Sequence, residues 1–147
     1  MTLCLIQEGD KVLLGMKKRG FGEGRWNGFG GKVTEGESIK EAAKRELFEE
    51  IGVTAKSLEK RGEINFSWQG KEGVLEVTIF KVADFEGEPT ESEEMKPEWF
   101  LTSEIPYEKM WSDDTYWLPL FLAGKKFKGK FLFDDKDNIL EQELSEL

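Results

Sequence analysis

Two apolar-rich runs, Thr2 to Gln7 and Lys11 to Lys18, flank the turn-forming Glu8-Gly9-Asp10 and read as strands joined by that turn. The spacing changes at Ser38. From there to Ile51 the residues Ile39, Ala43, Leu47 and Ile51 recur at helical intervals, Ser38 and Glu41 make a capping box, and Gly52 stands where a helix stop belongs. Strand-like composition returns over Ala55 to Trp68 and Gly73 to Ala83, divided by a turn near Gly70. A short strand is expected over Glu98 to Leu101, just after Pro97. Asp113 to Ala123 predicts a second helix, which Pro119 must bend or end early. Lys126 to Phe133 and Asn138 to Leu144 predict a closing hairpin. The order implies an α/β (α+β) fold: a mixed central β-sheet sandwiched between helices. No repeat, low-complexity tract or boundary interrupts it, so residues 1–147 are expected to form a single domain.

Between the second strand and the helix runs a glycine-dense stretch, Arg19 to Gly31, that also carries Phe21, Trp26 and Phe29. Flexible linkers rarely hold such aromatics, and glycine at this density implies backbone passing close to another group. The net charge of −9 disfavours polymeric nucleic acid, whose binding depends on neutralising phosphates. A small polyphosphate bridged to carboxylates by a divalent metal remains compatible with it. With no histidine, the commonest general base and the triads built on it are excluded, as is a Cys/His zinc site. The single Cys4, in an apolar run, reads as a core residue. No apolar run approaches the roughly 20 residues that span a bilayer, and the start lacks a basic leader, so a cytoplasmic protein without a membrane partner is expected.

The helix poses an electrostatic problem. Glu46, Glu49 and Glu50 lie at i, i+3 and i+4 on one side of it, and Glu50 falls in projection between Ile39 and Ala43, on the apolar stripe. Unpaired carboxylates bordering a core are costly, and a hard divalent cation with oxygen ligands would compensate them. A surface helix laced by Arg45–Glu49 pairing fits the same spacing.

The wider context decides between these. Residues Gly31 to Val53 read G-K-V-T-E-G-E-S-I-K-E-A-A-K-R-E-L-F-E-E-I-G-V, with Gly31, Glu37, Arg45, Glu46, Leu47, Glu49, Glu50, Gly52 and Val53 filling every defined position of the Nudix box. The chain is therefore identified as resembling the Nudix hydrolase superfamily, which hydrolyses nucleoside diphosphates linked to a further group. The resemblance implies magnesium, with manganese as a substitute, held by Glu46, Glu49 and Glu50 with the Gly30 carbonyl. It makes Arg45 an orienting partner for a glutamate. Glu94, in the acidic run Glu91 to Glu94, is the candidate outside the box for a further ligand or base, unless that run is simply a solvated loop.

Two further stretches, Leu13 to Val33 and Met110 to Trp117, resemble the 8-oxo-dGTP diphosphatase subfamily. That resemblance implies release of monophosphate and pyrophosphate from oxidised purine nucleoside triphosphates, and the acidic charge with no basic tract leads to the expectation of a monomer acting on free nucleotides. The subfamily's base pocket maps onto Asn27, Trp111, Asp113 and Asp114, with Thr2, Phe21, Phe66 and Trp117 nearby; Gly30 and Gly31 are further candidate substrate-binding residues, and Lys17 would meet the triphosphate unless it is simply an exposed lysine. Two adjacent carboxylates forced together share a proton, which would let one donate to a purine oxygen and the other accept. Taken alone, Asp113 and Asp114 could instead cap the second helix. The chain departs from the subfamily at Trp68 and Leu75, where Phe and Met are usual, and at Ser112, which replaces Pro.

Overall fold

The computed structural model describes residues 1–147. Its first strand, β1 (Thr2–Glu8), is shared between two partners. The second half pairs antiparallel with β2 (Lys11–Lys17), Ile6 opposite Leu13. The first half peels away and runs parallel to β5 (Leu75–Glu86), Thr2 opposite Thr78. A wedge opens between β1 and β2, and the glycine-dense segment fills it. Strand β3 (Trp26–Asn27) takes over the edge of β2 that β1 leaves, Asn27 opposite Gly15. Phe29 then exchanges backbone hydrogen bonds with Cys4 at 2.5 and 2.9 Å, and the Thr2 N–H donates to the Gly31 carbonyl at 2.8 Å.

This close approach explains the glycines. A Cβ on Gly30 would stand 1.9 Å from the Thr2 carbonyl oxygen, and one on Gly28 would stand 2.7 Å from that of Cys4. The sequence supplied the density; the splayed strand supplies its reason.

Around this junction the sheet is built in the order β3-β2-β1-β5, then β4 (Thr54–Trp68), β7 (Phe127–Phe133) and β8 (Ile139–Glu146), with β6 (Met95–Leu101) on the other edge of β2. Strand β4 pairs antiparallel with β5 and parallel with β7, and β8 closes the hairpin with β7. The helices α1 (Ile39–Ile51) and α2 (Asp114–Leu122) contribute to separate cores. Ala43, Leu47 and Ile51 of α1 join Cys4, Ile6 and Phe80, whereas Trp117, Leu118 and Phe121 of α2 join Leu5, Val12 and Ile79. Neighbouring residues of β1 thus point to opposite cores, as a strand's alternation requires. The mixed sheet between helices is as expected.

Local detail adds to the sequence reading, and corrects it at Pro97. Pro97 lies inside β6, opposite Gly15, rather than in front of it; β6 pairs only β2, and an edge strand accepts proline. Pro119 does not end α2, which continues to Leu122: the residue is exposed, and the helical bond it forfeits, to the exposed Thr115 carbonyl, opens to water. A single 3₁₀ turn at Tyr107–Lys109, unsignalled by composition, precedes α2. No helix is long and apolar enough to cross a membrane.

Candidate active site

Helix α1 enters and leaves under firm local control. Ser38 Oγ accepts from the Glu41 N–H at 3.1 Å, Glu41 Oε1 accepts from the Ser38 N–H at 3.2 Å, and Gly52 ends the helix at φ 72°. These caps fix the rotation that buries Ala43, Leu47 and Ile51, and Glu50 is buried with them, 1% exposed. Its Oε1 accepts from the Gly30 N–H at 2.7 Å, so the wedge segment and the helix meet at this carboxyl. Oε2 has no hydrogen-bond partner. Burial, reinforced by the charges of Glu46 and Glu94 and opposed by the Gly30 N–H and Lys17, pushes the Glu50 pKa up to about 8.

Arg45 organises the other box glutamates. Its guanidinium forks onto Glu37 through Nε at 3.1 Å and Nη2 at 2.8 Å, reaches Glu46 at 2.9 Å and Glu49 at 3.2 Å, and caps the Lys32 carbonyl at 3.0 Å. Hydrogen bonds from Arg45 and the Thr34 backbone hold the Glu37 carboxyl down at about 2. Glu37 is a box position to which the sequence attaches no role; its place under the guanidinium is visible only once the loop before α1 is folded. Gly31 packs beside Glu46, where a Cβ would come within 2.5 Å of the carboxyl carbon. The three helix glutamates do not converge into a ready-made metal cage: Arg45 holds two of them and Gly30 the third. The orphaned Glu50 oxygen, in a neighbourhood of like charges, is the feature that fits a divalent cation.

A cavity of roughly 870 Å³, its open mouth included, runs from Glu50 and Gly30 to the start of α2. Thr2, Lys17, Phe21, Asn27, Phe66, Trp111, Asp113, Asp114 and Trp117 line it, so most of the expected pocket residues meet there. Gly31, Arg45, Glu46, Glu49 and Glu94 stand outside its wall. Glu94 is half exposed and its carboxylate lies 3.6 Å from Arg19, although its charge is felt at Glu50. Apolar residues that sequence reasoning did not single out, among them Leu3, Val77, Ile79, Met95 and Phe133, complete the lining.

The aspartate pair is buried, and although Asp113 holds the N-cap position of α2 its side chain does not cap the helix. Asp113 and Asp114 are 3% and 2% exposed, and the Asp113 side chain makes no capping hydrogen bond to α2. Asp113 Oδ2 instead accepts from the Trp117 indole at 2.7 Å, while Asp114 Oδ2 is unpartnered. Burial raises both carboxyls; Trp117 offsets part of the rise at Asp113, and the Asp113 charge adds to it at Asp114, which lies well above the carboxylate range. The Trp117 N–H favours the charged form of Asp113, and the unpartnered burial of Asp114 favours its neutral form, so a proton shared by the pair is favoured on Asp114. Asn27 Oδ1 accepts from the Gly28 N–H at 2.8 Å, which orients the amide of this lining residue and leaves its NH₂ available as a donor. Thr2, by contrast, braces the wedge, its hydroxyl 3.3 Å from the Gly31 carbonyl. Cys4 is inert: burial first, then the Glu50 charge, pushes its thiol up to about 12.

Residues 1–121 match the NUDIX domain family. The chain belongs to the Nudix family. This Nudix chain is 53% identical over 146 residues to the oxidized purine nucleoside triphosphate hydrolase of Mus musculus, covering 99% of the chain and 94% of the relative. It is 51% identical over 147 residues to the protein of the same name from Danio rerio, covering 100% and 94%. Among solved structures, a MutT protein from Bacillus halodurans superposes with a TM-score of 0.87 at 32% identity, covering 98% of this chain and 95% of that one.

Proposed function

We propose that this Nudix protein hydrolyses oxidised purine nucleoside triphosphates, 8-oxo-dGTP foremost and 2-oxo-dATP as a further substrate, to the monophosphate and pyrophosphate. The whole chain acts as one domain on a free nucleotide, as a cytoplasmic monomer that clears the nucleotide pool. The observation that carries this reading is the single cavity uniting the orphaned carboxyl of Glu50 with the buried Asp113–Asp114 pair. The mouse and zebrafish relatives named for this reaction support it.

Magnesium, or manganese in its place, would be held by Glu50, with Glu46, Glu49 and the Gly30 carbonyl as its other ligands once the Arg45 contacts adjust, and with Glu94 as a further ligand or base. Such an ion, when bound, neutralises phosphate charge and acidifies water. The remaining work belongs to the chain. Arg45 holds Glu46 and Glu49 on the helix face that Glu50 shares, and Lys17 offers its ammonium to the triphosphate beside Glu50. Asp114, protonated, donates to a purine carbonyl oxygen; Asp113 accepts from ring and amino N–H groups; Asn27 donates to a second acceptor. Trp111 gives the base a stacking surface, a contact worth roughly 1–3 kcal/mol in single-strand binders. Moving the pair's proton to Asp113 reverses the donor–acceptor order and admits an oxidised adenine.

The test follows pyrophosphate release from 8-oxo-dGTP with and without magnesium. Metal-dependent release that Glu50→Gln abolishes while the protein stays folded is expected. Release that survives Glu50→Gln, or proceeds equally in EDTA, refutes the chemistry. A nearby reading, hydrolysis of other purine triphosphates or dinucleoside polyphosphates, predicts no advantage for the oxidised base.

A further inference from the structure

Asp137 sits in the turn between β7 and β8, outside the cavity wall, yet three separate segments bond to it. Its Oδ1 accepts from the Trp68 indole N–H at 3.1 Å, at the end of β4. Oδ2 pairs with Arg25 Nη2 at 3.3 Å, in the glycine-dense segment, and its carbonyl accepts from the Ser112 hydroxyl at 3.3 Å, directly after Trp111. It is also the one non-glycine residue with positive φ, 61°, a conformation that surrounding contacts must over-determine. Two of the three donors, Trp68 and Ser112, are positions at which this chain departs from the subfamily it resembles.

The bonds converge on one ring. Arg25 places its guanidinium 4.0 Å from the centroid of the Trp111 ring, covering one face, so a base stacking on Trp111 must use the other. Phe21 leans on Trp111 at 5.1 Å and on Trp68 at 6.2 Å, closing the group. We propose that Asp137 is a positioning residue for the substrate: by tying Arg25, Trp68 and Ser112 together it holds the Trp111 ring in place as the wall for the purine base. This rests on the reading of Trp111 as that wall. An indole at the mouth of an open cavity otherwise loses its freedom at the moment of binding, and fixing it beforehand removes that cost. Asp137 hydrogen-bonds to none of the α1 carboxylates, so its effect falls on binding and not on the chemical step.

Asp137→Gly removes the carboxylate, keeps the carbonyl that Ser112 uses, and suits the positive φ. Calorimetry with 8-oxo-dGMP in EDTA, alongside kinetics with 8-oxo-dGTP, reads the outcome. We expect Kd and KM to rise about tenfold with kcat within about twofold. Asp137→Asn, which retains an acceptor for Trp68 but not the charge facing Arg25, falls between. In a Trp111→Ala background Asp137→Gly should add little, because both act on one contact. Unchanged Kd and KM, a loss confined to kcat, or full additivity with Trp111→Ala overturns the proposal. If Trp111→Ala weakens binding and Asp137→Gly does not, the positioning role alone fails. If Trp111→Ala binds 8-oxo-dGMP like the wild type, the base-wall reading fails and takes this role with it.

Discussion

Glu50→Gln separates the stability cost of the site from its chemistry. In metal-free protein the buried Glu50 carboxyl has a pKa of about 8, against 4.5 for an ordinary glutamate. Folding therefore favours its protonated form, and stability is lost as pH rises from the unfolded value through the folded one. Each pH step in that window costs about 1.4 kcal/mol, so this one group removes about 3 kcal/mol between pH 4.5 and 7 and about 5 kcal/mol by pH 9. Glutamine cannot ionise. Its amide would keep the acceptor for the Gly30 N–H but leave a buried N–H₂ where Oε2 is unpartnered, a fixed penalty of about 1–3 kcal/mol. That penalty shifts the whole curve without changing its slope. The assay is urea unfolding in EDTA across pH 5 to 9 for both proteins. The difference in stability, variant minus wild type, should climb with pH by about 3–5 kcal/mol. Saturating magnesium should then stabilise the wild type, by about 2.7 kcal/mol at a hundredfold excess over Kd, and the variant much less. Parallel curves in EDTA would refute the buried-carboxyl argument.

Other consequences are checked in the same way. Gly30→Ala drives a methyl into the Thr2 carbonyl and should lower stability by at least about 1–3 kcal/mol, read as a fall in Tm; a Tm unchanged from wild type contradicts the wedge geometry. Asp114 is raised well above the carboxylate range, so its ionisation opposes folding more as pH climbs from 3.8; Asp114→Asn should raise Tm at pH 8, leave it near wild type at pH 4, and change selectivity among purine bases. Arg45→Gln releases Glu37, Glu46 and Glu49 together and should lower kcat/KM about 10- to 100-fold. Because the Glu37 carboxyl sits near 2, its stabilising contribution is present above pH 4.5 and lost as pH falls toward 2; acid unfolding curves should show that component vanish in Arg45→Gln.

The carboxylate helix was legible from sequence because its signals are local: a capping box, a glycine stop and a 3.6-residue stripe all act within one element. The burial of Glu50 was legible for the same reason. The loop chemistry was only half legible. Glycine density announced a close approach, but nothing local states that β1 divides its pairing between β2 and β5, which is what creates the wedge. The acidic pair at the start of α2 was ambiguous between cap and pocket, and its burial in the cavity wall, with Trp117 reaching back to Asp113, is visible only in the folded chain. Asp137 had no sequence signal, since its partners come from three segments that meet only in the folded sheet.

The central claim is selectivity for an oxidised base. Steady-state kcat/KM for 8-oxo-dGTP, dGTP and 2-oxo-dATP, with monophosphate and pyrophosphate identified as products, tests it most directly. The value for 8-oxo-dGTP should exceed that for dGTP by at least about tenfold, a difference of about 1.4 kcal/mol in the transition state. Equal or better turnover of dGTP, or release of inorganic phosphate in place of pyrophosphate, would contradict it.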